Sequence, residues 1–136
     1  MAKRPRGSFR RRRRPGAGAS FEELVARALS SIPEPFARAL DDVAIVIEDE
    51  PSREQLRENG LRPSDSLYGL YEGVPRTEWA ADWAFVPNKI TLFQIPLEED
   101  FLDAAELEHE VRVTVIHELA HHIGIDDDRL HDLGAY

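Results

Sequence analysis

The apolar positions of the chain change period along its length, and the period assigns the elements. Phe21, Leu24, Val25, Ala28, Leu29 and Ile32 recur at helical spacing. Ser20-Phe21-Glu22-Glu23 precedes them as a capping-box start, with Ser20 as N-cap and Glu23 at the third helical position. Pro33 and Pro35 end this helix near Ser31, because proline has no N–H and constrains the residue before it. Phe36 to Leu40 fits one further short turn.

Val43 to Glu48 is apolar and β-branched, which predicts a buried strand. The polar stretch after it reads as a short helix or a loop over Pro51 to Arg57, stopped by Gly60. Leu67 to Gly73 is a second strand, weakened by Gly69 and Gly73. Ile90 to Ile95 is a third, bounded by Asn88 and Pro96. From Asp100 a long helix begins, capped by Asp103 or Asp100, with early acids suited to the helix dipole. Two stripes run along it. Leu107, Val111, Val115 and Leu119 form a packing face, widened by Ile116, Ala120 and Ile123. Glu110, Thr114, His117 and His121 form the other, expected to face a cleft.

That second stripe carries the candidate chemistry. His117-Glu118-Leu119-Ala120-His121 is an H-E-x-x-H sequence. Two histidines four apart sit one turn above the other and can bind one metal ion from the same side. Glu118 lies about 100° further round the helix, beside the ion without having to ligate it. Gly124 follows His121 by three residues, where a helix stops cheaply in a left-handed conformation. A ligand beyond such a stop can swing back, and Asp127 gives H-E-x-x-H-x-x-G-x-x-D. Asp126, Asp128 and His131 compete with Asp127 for that position. His122 points away from the stripe and reads as core or as support for the site. Trp79 and Trp83 read as core aromatics.

The extended motif resembles that of the metzincin-type zinc metallopeptidases. The chain from about residue 20 onward also resembles a small bacterial family of minimal zincin-like metallopeptidases, which end soon after a segment like His121 to Gly134. The resemblance implies an α+β zincin-like fold. A small mixed sheet of about three to four strands would pack on an N-terminal helix and the long H-E-x-x-H helix. It implies Zn2+ held by His117, His121 and Asp127, with Glu118 as general base acting on a water at the metal. Tyr136 would lie near the metal, as tyrosines do in some related peptidases. In zincin folds the strand before the catalytic helix often forms the sheet edge above the cleft. By that likeness Ile90 to Ile95 would offer an edge to an extended peptide. One departure stands out. Metzincins carry a methionine below the metal, and the one methionine here is Met1. The floor falls instead to Leu130, Leu133 or Tyr136.

Composition narrows the rest. With 136 residues the chain is sized for one domain. It has no cysteine, so disulfides and thiolate metal sites are excluded. No apolar run spans a membrane, and no signal-peptide core follows the basic start, so a cytoplasmic protein is expected. The net charge is −9, but residues 1–14 hold eight positive charges and no acid, which leaves −9 − 8 = −17 on the remainder. Residues 1–19 therefore read as a disordered basic extension and 20–136 as the domain. Nucleic acid would be met only through that extension, and a monomer is assumed. A peptide or protein substrate is the leading expectation. Two alternatives stand beside it. One is a zinc-dependent endoribonuclease, since an rRNA-maturation family has a similar two-histidine helix. Against it, that family lacks a glutamate after its first histidine, and the acidic body repels phosphate. The other is a zinc-binding module of weak or no activity.

Overall fold

The computed structural model describes residues 2–3, 19–73 and 88–123. In chain order the elements are β1 (Ala2–Lys3), α1 (Phe21–Ser30), α2 (Phe36–Ala39), a 3-10 turn (Leu40–Asp42), β2 (Ala44–Glu48), α3 (Arg53–Glu58), β3 (Leu67–Glu72), β4 (Lys89–Phe93), α4 (Gln94–Asp100) and α5 (Ala104–His122). The strands form one mixed sheet in the order β1-β3-β4-β2. β4 runs parallel to β2 and antiparallel to β3, and β1 is antiparallel to β3. This is an α+β architecture with one small mixed sheet.

The helix starts follow local chemistry. The Ser20 hydroxyl accepts from the Glu23 N–H at 3.2 Å. Ser52 and Gln55 complete a reciprocal capping box, which makes the polar stretch after β2 a helix and not a loop. Gly60, at φ 72, follows it in the left-handed region. Asp103 caps α5 by accepting from the Glu106 N–H at 3.1 Å.

Several expectations from the pattern are corrected here. β4 is an interior strand, with β3 on one side and β2 on the other, so Ile90 to Ile95 offers no edge to a peptide. It also ends at Phe93: Gln94 and Ile95 open α4. Pro96 is tolerated there because a proline in the first turn removes no intrahelical hydrogen bond. β2, expected to be buried, is an edge strand with no fully buried residue. Its apolar run matches a strand covered on one face only, where Ile45 and Ile47 pack on the core. Ala2 and Lys3, within the basic extension, add a strand to β3.

α5 lies between two partners. α1 packs along it, and β3 and β4 meet it from the sheet. Leu107, Val111, Val115, Leu119 and Ala120 are fully buried as a result. A buried leucine or valine contributes about 1.5–3 kcal/mol. Rotating α5 by one residue would move that whole row, so the core fixes which way His117 and His121 face. The second stripe is not uniformly open to a cleft: Thr114 is buried against β3. A smaller cluster of Leu56, Leu67, Leu70 and Phe93 joins α3 to the sheet.

Gly69 sets how closely α5 approaches β3. A Cβ at this position would come 2.5 Å from Thr114 Cγ2 and 3.3 Å from the Thr91 carbonyl oxygen. Gly69→Ala is therefore expected to destabilise the fold by about 1–3 kcal/mol, the usual cost of overpacking. Thr114→Ser removes the clashing methyl, so the double variant should recover part of the loss in a urea titration. Losses that simply add would contradict this contact.

Candidate metal centre

The last turns of α5 bring three predicted site residues together. The ring centres of His117 and His121 are 6.0 Å apart, with their planes at 90°. A zinc–nitrogen bond of about 2.0–2.1 Å places an imidazole centre about 3.2 Å from the ion. Two rings on one ion can then be at most about 6.4 Å apart, and about 5.2 Å at a tetrahedral angle. The observed separation lies inside the limit, and less than about 1 Å of side-chain movement reaches the tetrahedral value. His121 Nδ1 sits 3.6 Å from Glu118 Oε2. Nε2, the other ring nitrogen, lies across Cε1 from it. Two imidazoles without thiolates suit zinc, whose catalytic sites add a further protein donor and keep one position open. The pair fits the ion. Among the described residues, no group of three His, Asp or Glu is gathered. Asp127 lies outside the described residues, as do Asp126, Asp128, His131 and Tyr136, and with them Trp79, Trp83 and Gly124.

Glu118 is fully buried, while the His121 side chain beside it is 41 % exposed. Burying a carboxyl group is costly unless donors reach it. Oε1 accepts the backbone N–H of Tyr71 at 2.9 Å. The donor belongs to β3, so a main-chain group of the sheet fixes a side chain of the helix. The close approach at Gly69, two residues earlier on the same strand, makes this reach short enough.

Tyr71 also ties the helix end through its side chain. Its hydroxyl donates to Asn88 Oδ1 at 3.0 Å and lies 2.8 Å from His122 Nδ1. With the phenolic proton given to Asn88, His122 donates to the phenol oxygen through Nδ1–H. The Tyr71 and His122 rings also pack at 5.2 Å between centres. His122 is 3 % exposed. It sits off the stripe of His117 and His121 and braces the turn that carries His121. Tyr71 and Asn88 were not visible as site residues in the sequence. Tyr71 reads as an ordinary strand position and Asn88 as a strand boundary. Their partner His122 is 51 positions from Tyr71, beyond any local pattern.

Tyr71→Phe keeps the ring and removes the hydroxyl, leaving His122 and Asn88 each with one partner fewer. An expected loss of about 1–3 kcal/mol should appear as a lower urea midpoint with unchanged slope; an unchanged midpoint would contradict the bracing role. Burial raises the pKa of the Tyr71 phenol. The folded chain thus holds that proton more tightly than the unfolded one. Its contribution is intact below the ordinary tyrosine value of about 10 and is lost as pH rises beyond it. Tyr71→Phe should remove this part of the alkaline loss.

Comparison with known families matches residues 40–135 to one described as zincin-like metallopeptidase. The matched span is most of the chain and holds β2, β3, β4 and the whole of α5. No curated protein matches the chain. No helix among the described residues is long and apolar enough to cross a membrane. The motif on α5, the sheet that supports it and the extent of the match agree: this chain belongs to the zincin-like metallopeptidase family.

Proposed function

We propose that the protein is a zinc-dependent peptidase in which His117, His121 and Asp127 hold the ion and Glu118 is the general base. The observation that carries this reading is the placement of Glu118. Its carboxyl group is buried beside His121 and held by the Tyr71 N–H, on the same helix as a histidine pair spaced for one ion. Zinc in this site would supply Lewis acidity, polarising a peptide carbonyl and bringing the pKa of a water near 7. Oε2 of Glu118 lies on the His121 side of its carboxyl group. From there Glu118 takes the proton of the attacking water as the carbon–oxygen bond forms. It then delivers that proton to the leaving nitrogen as the carbon–nitrogen bond breaks. The Tyr71 N–H keeps Oε1 in place through both transfers. The −17 carried outside residues 1–14 favours peptide over phosphodiester substrates.

The test is peptide-library profiling of the zinc-loaded protein against Glu118→Gln. Glutamine keeps an oxygen for the Tyr71 N–H and cannot act as the base. Cleavage should fall by about 10²–10⁴-fold, the usual share of acid–base catalysis, with zinc still bound. Peptide cleavage that survives in Glu118→Gln, or cleavage of RNA in place of peptides, would overturn the proposal. Asp127→Ala should weaken zinc binding and His131→Ala should not; the reverse order would move the third ligand to His131.

A further inference from the structure

The strand order leaves one sheet edge beside the histidine pair, the outer edge of β3, and part of it is already taken. Ala2 pairs with Gly69 and Lys3 with Leu67, with a register shift between them. Tyr71 pairs across to Ile90 on β4 as part of the same strand, yet its N–H is directed to Glu118. The N–H and C=O of a strand residue lie in the plane of the sheet and alternate from one side to the other. Tyr71 therefore turns its N–H to the outer edge, and Gly69, two residues earlier, shares that side. Along this edge the Ala2–Lys3 strand comes first and the carboxyl group of Glu118 comes next, where it takes the following N–H of the ladder. Polarity adds to this. Because β1 is antiparallel to β3, its N-terminal end points toward Tyr71 and Glu118, and its C-terminal end leads away toward Leu67.

We infer that residues 2–3 of this chain are an internal, displaceable occupant of the outer edge of β3, seated where an extended peptide would have to pair to reach Glu118. This deepens the peptidase reading and rests on it for the identity of the ligand. A bound peptide would run antiparallel to β3. Its backbone would pair at Gly69, and the residues downstream of the cut bond would lie along Gly69 to Leu67. Ala2 and Lys3 imitate that downstream half. Glu118 holds the next outward donor, the Tyr71 N–H, so a peptide on this edge is delivered to the general base and cannot continue as a ladder past it. Two residues make a weak strand, and the partner needs only backbone groups to replace them. The eight positive charges of residues 1–14 and the −17 on the rest favour the seated arrangement by long-range attraction.

The test uses the whole chain, a chain lacking residues 1–3, and a labelled synthetic peptide with the sequence of residues 1–10. Fluorescence anisotropy reads binding, and amide hydrogen exchange reads protection of Gly69. The truncated chain should bind the peptide roughly tenfold more tightly than the whole chain, since a tethered competitor acts at an effective concentration on the order of millimolar. Gly69 protection should be lost on truncation and restored by the peptide. A peptide of the same charge, N-methylated at its alanine, should not restore it. Equal affinity for both chains, or equal binding of the methylated peptide, would overturn the inference. Should the truncated chain not fold, Lys3→Pro in the whole chain weakens the same pairing and should give the same gain in affinity. Binding and Gly69 protection with no cleavage would sink the peptidase reading and leave the edge site standing. Cleavage whose KM is the same in both chains would do the opposite.

Discussion

A fully buried carboxyl group sits between two histidines in sequence, and one of its oxygens accepts a backbone N–H of a neighbouring strand. Leaving such a group unsatisfied costs about 1–3 kcal/mol, and more for a charged one. The hydrogen bond from Tyr71 to Glu118 therefore constrains the sheet as well as the site. β3 must pass close to the second turn from the end of α5, with its outer edge turned to the helix. Among substitutions at Tyr71, only proline removes that donor. A catalytic role for Glu118 would draw on a rigid hold of this kind, because a general base has to meet its proton at hydrogen-bond distance.

The surrounding fold serves that approach. α1 and the sheet bury α5 from two sides, so its rotation is set by Val111, Val115 and Leu119 and is not left to solvent exposure. Gly69 removes the side chain that would keep strand and helix apart, and Thr114 fills the space. The Asn88–Tyr71–His122 chain of hydrogen bonds secures the end of the helix, one residue beyond His121. Three contacts along one strand thus fix the height, the distance and the end of the helix that bears the histidine pair.

Much of this was legible in the sequence, for reasons that differ by element. Caps are local: Ser20 and Asp103 each satisfy an N–H three residues on and mark a helix start that the structure shows, while Ser52 does the same for α3, where the sequence left helix and loop both open. The histidine pair is local too, since four residues on a helix set its spacing. Strand position within the sheet is not local. Ile90 to Phe93 and Ala44 to Glu48 are both apolar, and nothing in either run tells interior from edge, so their places were exchanged. α4 was hidden because Ile95 continues the apolar run of β4 and Pro96 looks like a stop. Tyr71 and Asn88 were hidden because their work is done across long sequence separations, through contacts that no spacing rule encodes. The pairing of Ala2 with Gly69 was masked by the basic residues around it, whose charge reads as a solvated extension.

X-ray absorption of the zinc-loaded protein tests the centre of this reading most directly. One zinc per chain is expected, with two imidazole nitrogens and at least one oxygen in its first shell at about 2.0–2.1 Å. His117→Ala should remove one imidazole from that shell, and His121→Ala should do the same. A chain that takes up no zinc, or a shell unchanged when either histidine is removed, would contradict it.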